Sequence, residues 1–246
     1  LEPLGRNRPH QEPRFQPSGL SFRAVWRVVE DVAVTASEGP MAGVREVKLG
    51  MGSVRGGSDA VDFRPVTFDT HDTELYTTTV FDGCIEGAAY FLTLRTVNEA
   101  GLVSTAATGA IIIDSTPAEN VHIAETDAAG VAVDAVGNVD NALCAWSYYD
   151  RESGIVEYEV GLTTIPLATV PPDIVAFQSV GLRTEYRLSF LNVNLTHGQH
   201  YYCIVQATNG AGLKTAHTSH GFVFDSTPAT CTVRDGLTGD KNFTRV

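Results

Sequence analysis

The 246-residue chain is 43% apolar and 19% charged, ample for folded cores. It carries 17 basic against 29 acidic side chains, a net charge of −12, which disfavours binding to nucleic-acid phosphates or an anionic membrane surface. No apolar run approaches the roughly 20 residues that cross a bilayer, and the first residues lack an apolar signal segment, so any signal is expected to have been removed already.

In chain order, residues 1–18 carry prolines at 3, 9, 13 and 17 and predict an extended linker. Trp26 opens a first series of strand-like segments: VREVKLGM (44–51), DAVDFRPV (59–66), YFLTLRTVNEAGL (90–102) with Tyr90 at its head, and AIIID running into DSTPA at 114–118. GMGSVRGG (50–57) is the nearest approach to a phosphate loop. Arg55 breaks its third glycine position and no helix follows, so it reads as a connection between strands. A second series follows: ALCAWSYYD with Trp146, IVEYEVGL (155–162), DIVAFQSV (173–180), YYCIVQATNGAGL (201–213) with Tyr201, and FVFD running into DSTPA at 225–229. These segments are rich in β-branched and aromatic residues and are bounded by Gly, Asn and Pro. They alternate with period two: Tyr201, Cys203, Val205 and Ala207 fall on one face, Tyr202 and Gln206 on the other. No long segment keeps a helical period. Neither a Gly-x-Ser-x-Gly elbow nor a His-Glu-x-x-His helix occurs, and no catalytic residue is assigned.

The two series are copies. DSTPA recurs at a spacing of 111, as do Tyr90/Tyr201, Asn98/Asn209, Ala100/Ala211, Gly101/Gly212 and the segments beginning at 44 and 155. The 59–66 segment matches 173–180 at 114, and the two tryptophans stand 120 apart, so length differences fall in the connections. The expected organisation is a Pro-rich linker (1–18), a first β-sandwich (19–116), a second (117–227), and a tail (228–246) that begins a third copy or pairs with a neighbouring subunit.

Trp146 on one strand, Tyr201 opening another, and Ala207-x-Asn209-x-x-Gly212 after it resemble a fibronectin type III or related immunoglobulin-like domain. The first copy offers Trp26, Tyr90, Asn98 and Gly101, with Thr96 departing from the alanine position. The resemblance covers residues 19–229. It implies an all-β chain of tandem antiparallel sandwiches arranged end to end, as in large cell-surface and matrix proteins.

Cys144 stands two residues before Trp146 and Cys203 two after Tyr201, and both should point into the sandwich. The first copy has Ala24 and Leu92 at these places, so both cysteines are present together or absent together, the pattern of a disulfide formed in an oxidising compartment. Cys84 and Cys231 fall at different joints and are expected not to bond each other; intermolecular pairing of at least one is the expectation. The sequons at Asn194 and Asn242 point to N-glycans. His200 and His220 should approach across a hairpin turning near 210 and could bind zinc, although solvated strand histidines are the plainer reading. The oxygen-rich segment 127–142, with Asp150 and Glu152, could hold calcium at the joint; its spacing fits no calcium-loop template, and solvated acidic loops are the plainer reading.

The function expected is structural or adhesive: a non-catalytic segment of an extracellular rod or filament, with protein partners that include further copies of the same domain or chain. A ligand- or glycan-binding receptor ectodomain and accessory domains of a secreted enzyme are the alternatives.

Overall fold

The computed structural model describes residues 15–17, 21–26, 43–66, 75–80 and 83–231, the strands at 21–26 and 75–80 by their backbone course alone. The chain is all-β. In the first unit, β1 (Phe15–Gln16), β2 (Ser21–Trp26), β3 (Val44–Gly52), β4 (Val61–Pro65), β5 (Leu75–Val80), β6 (Ala89–Asn98), β7 (Val103–Ala107) and β8 (Ile111–Ile113) form two sheets. One runs β1-β8-β6-β3-β4 with β7 also on β6, and the other is the β2-β5 ladder.

The second unit repeats the plan with β9 (Glu119–Asp127), β10 (Ala135–Val136), β11 (Ala142–Tyr149), β12 (Ile155–Thr163), β13 (Val175–Gly181), β14 (Glu185–Arg187), β15 (His200–Asn209), β16 (Lys214–Thr218) and β17 (Phe222–Phe224). Its sheets run β10-β17-β15-β12-β13, with β16 on β15, and β14-β11-β9. β3 and β12 share one pattern of buried and exposed positions, and each ladder to its partner carries a register shift at the same place, Val44/Glu46 and Ile155/Glu157. Most pairing is antiparallel. At the sheet edges β1 pairs β8 and β10 pairs β17 in parallel, over two residues each. A parallel neighbour needs a long crossover; here the chain leaves β1 and β10 for the opposite sheet and returns to the same edge only at the end of each unit.

The second core shows why these sequences form a sandwich. Alternate residues of β11 (Cys144, Trp146, Tyr148) pack against alternate residues of β12 (Tyr158, Val160, Leu162) and β15 (Tyr201, Cys203, Val205, Ala207). Trp146 meets Tyr158 edge-on with ring centroids 5.8 Å apart, a favoured aromatic geometry. The Tyr148 hydroxyl donates to the Val205 carbonyl at 2.8 Å across the sheets. In the first unit Val47, Leu49, Met51, Tyr90 and Leu92 build the corresponding core. Trp26 ends β2, opposite Leu75.

Both tyrosines that open the long strands are tied back to the chain before them. The Tyr201 hydroxyl accepts the Thr196 N–H at 2.8 Å, and that of Tyr90 accepts the Ile85 N–H at 3.1 Å. Tyr201→Phe keeps the ring packing and leaves that amide without its acceptor. The expected loss is about 1 kcal/mol, read from urea unfolding.

Candidate functional site

The residues singled out by sequence do not gather in one place. Cys144 and Cys203 are bonded in the second core, their Cα atoms 6.2 Å apart. Cys84 is half-buried against the first core, where burial pushes its thiol pKa up, and Cys231 is exposed at the end of the described residues. Asn194 is exposed before β15, while Asn242 lies outside the described residues. His200 and His220 are both exposed, with His200 opposite Val223 on β17; neither belongs to a group of three metal-ligating side chains among the described residues. The acidic candidates are largely committed to their own backbone. Asp127 accepts the amides of Ala129 and Val131, Asn138 caps Asp140, and Asp150 accepts those of Ser153 and Gly154.

Sequence reasoning missed Glu125, which is buried in the second core. It pairs across the ladder with Cys144 and accepts hydrogen bonds from the Cys203 amide, at 3.1 Å, and the Ser219 hydroxyl. Burial pushes its carboxyl above the ordinary value of 4.5, against the opposing pull of those hydrogen bonds. The folded state therefore holds the proton more tightly than the unfolded chain. This group favours folding below pH 4.5, and that contribution is lost as pH rises through the raised folded value. Glu125→Gln keeps a carbonyl acceptor for both donors and removes the titration. It is expected to stabilise the second unit at pH 7 and to flatten its stability between pH 4 and 7, compared by urea midpoints across that range.

The densest polar constellation is the joint between the units, and DSTPA forms half of it. Asp114, which follows β8, is 0% exposed. The side-chain amide of Asn209, at the end of β15 and also 0% exposed, faces three oxygens: Asp114 Oδ2 at 3.0 Å, the Thr116 carbonyl at 2.9 Å and Asp150 Oδ2 at 3.0 Å. The Asn209 Oδ1 accepts the amides of Ala211 and Leu213, which fixes the turn. Gly212 sits in that turn at φ 82°, and Gly101 takes φ 80° in the first-unit turn, a region where a side chain is strained. Glu86 accepts both the amide and hydroxyl of Ser115, so the first unit also grips the linker. Carboxylate oxygens of Glu86, Asp114 and Glu152 lie within 4.8 Å of one another. The repeated aspartate and asparagine were visible in the sequence, but nothing local showed that they meet.

No protein-family model matches the chain, and no curated protein matches it. Among solved structures it is similar to the FN1-FN3 domains of chicken CNTN1, at 14% identity and a TM-score of 0.38, over 83% of this chain and 64% of that one. It is also similar to fibronectin(III)-like modules of Clostridium thermocellum CbhA, at 11% identity and a TM-score of 0.42, over 90% and 94% respectively. The structure neighbours are thus fibronectin type III modules. The all-β sandwich assignment stands on the sheet order and core described above.

Proposed function

We propose that the chain is a non-catalytic structural or adhesive segment of an extracellular rod or filament built from repeated β-sandwiches. It works through protein–protein contacts with further copies of the same fold and carries an N-glycan at Asn194. The observation that carries this reading is the buried Asp114–Asn209 contact. Rotation of one unit against the other would break the hydrogen bonds of a buried amide shared among three oxygens of both units and leave it unsatisfied, a cost that favours one arrangement. The Cys144–Cys203 disulfide supports an oxidising compartment. Small-angle scattering of the dilute chain tests the reading: one fixed arrangement of two units is expected, and a curve that requires free rotation between them overturns it.

A second reading, glycan or ligand binding, is favoured by a groove of about 420 Å³ beside β14, lined by Leu143, Arg183, Tyr186, Arg187 and Phe190. Tyr186 and Phe190 meet edge-on at 5.6 Å there, and Phe190 is exposed. Titration with acidic and neutral oligosaccharides, followed by NMR shifts at these residues, decides it.

A further inference from the structure

The chain carries the two halves of its own joint a second time, one at each end. At the exit of the second unit, Asp225 stands where Asp114 stands in the first. Its amide donates to the Val136 carbonyl, as the Asp114 amide does to that of Gln16. Its Oδ1 accepts the Thr227 amide at 2.9 Å, as that of Asp114 accepts the Thr116 amide. The Ser226 amide donates to His197 Nδ1 at 3.2 Å, the place taken by Glu86 at the internal joint. Unlike Asp114, the Asp225 side chain is 49% exposed, and its Oδ2, the counterpart of the oxygen that Asn209 holds, has no hydrogen-bond partner among the described residues.

The complementary half lies at the entry end of the first unit. Asn98 closes its turn as Asn209 does, its Oδ1 accepting the Leu102 amide at 2.8 Å. The Glu99 amide donates to the Gly43 carbonyl, as the Gly210 amide does to that of Gly154. Asn98 is half-buried, and its side-chain amide has no partner among the described residues.

We propose that copies of this chain associate end to end, Asp225 of one copy accepting the Asn98 side-chain amide of the next, in the geometry that Asp114 and Asn209 adopt internally. Two substitutions between the copies argue for this occupant. At the internal joint Gly210 lies between Ser153 of its own unit and Phe15 of the first, and a Cβ there would come within 2.8 Å of the Ser153 carbonyl oxygen and 3.2 Å of the phenyl ring. At the outer halves both residues change together. Strand register places Ala135, which is exposed, where Phe15 stands, and Glu99 replaces Gly210. A large residue facing a small one becomes a small one facing a large one. Because exit and entry are different surfaces, the contact is heterologous and propagates into an open chain rather than closing at a dimer.

The inference rests on the rod reading above but is tested apart from it. Sedimentation of the full chain at rising concentration, to about 1 mM, is expected to show a mass that grows past the dimer. Asp225→Ala and Asn98→Ala should each weaken association at least ~10-fold, the effect of removing one good hydrogen bond pair. Ala135→Phe should do the same by filling the space for Glu99 while leaving both hydrogen-bonding side chains intact. A cooperative melting transition well above the measurement temperature shows that each variant is folded. Mixing Asp225→Ala with Asn98→Ala should restore association but stop at the dimer, since each variant keeps one sound end. A wild-type chain that stays at 26.4 kDa throughout overturns the proposal, as does association that survives Ala135→Phe or a mixture that forms no dimer. A fixed two-unit arrangement in the dilute chain would leave the rod reading standing in any of those cases.

Discussion

Asn209→Asp is expected to destabilise the second sandwich by about 3–5 kcal/mol at pH 7 and to free it from the first. The substitution changes no heavy-atom count and little shape. It removes both N–H donors from a fully buried position and sets a carboxylate against Asp114 and Asp150, with the Thr116 carbonyl as a third repelling oxygen. Nothing is left to offset the burial of that charge except the Ala211 and Leu213 amides on the opposite side of the group. Part of the loss should return below about pH 5, where one carboxyl can keep a proton and donate it to a neighbour. Asn98→Asp provides the control. The same turn is altered, but Asn98 is half-buried and no carboxylate faces it among the described residues, so the cost should stay below about 1 kcal/mol. Urea unfolding gives both energies, and residual dipolar couplings report whether the two units still share one orientation. Equal effects in the two variants would show that the turn, and not the joint, is what Asn209 serves.

Which parts of this arrangement were legible in the sequence follows from the range of the interactions involved. β3 and β12, β6 and β15, β7 and β16, and β8 and β17 each lie 111 residues apart, because strand alternation and turn glycines are written locally and duplication copied them intact. The parallel edge strands were not legible. Phe15–Gln16 and Ala135–Val136 are two residues long, too short to show any period, and they are held by an edge that the chain reaches about a hundred residues later. Glu125 carried a faint signal, a glutamate two residues after the core residue Ile123 on one strand, where alternation points it inward. The joint was half legible. The recurrence of DSTPA marked the place, yet Pro117 is exposed and the order comes from Asp114, whose partner lies 95 residues away. Contacts between units have no period to betray them. Only the pairing of one repeated residue with another repeated residue could have raised the question.

The disulfide should have an effect of similar size, confined to one unit. Cys144→Ala with Cys203→Ala removes a cross-link closing 59 residues, worth about 4 kcal/mol in the chain-entropy account, and also leaves space in a core where both residues are 0% exposed. The first sandwich suggests how to separate the two effects, since it has Ala24 and Leu92 at the equivalent positions. Cys144→Ala with Cys203→Leu adopts that pair and refills much of the lost volume. It should recover the packing part while leaving the roughly 4 kcal/mol of loop constraint missing. In urea the second unit's transition should move to lower concentration in both double variants, less in the leucine one, while the first unit's transition stays in place. Full recovery by leucine would make the bond a packing element rather than a cross-link. Reduction of the wild type removes the cross-link but keeps both sulfurs in the core, so it should settle above the alanine variant's stability, and slowly, because no thiol can attack sulfurs this deeply buried until the sandwich opens.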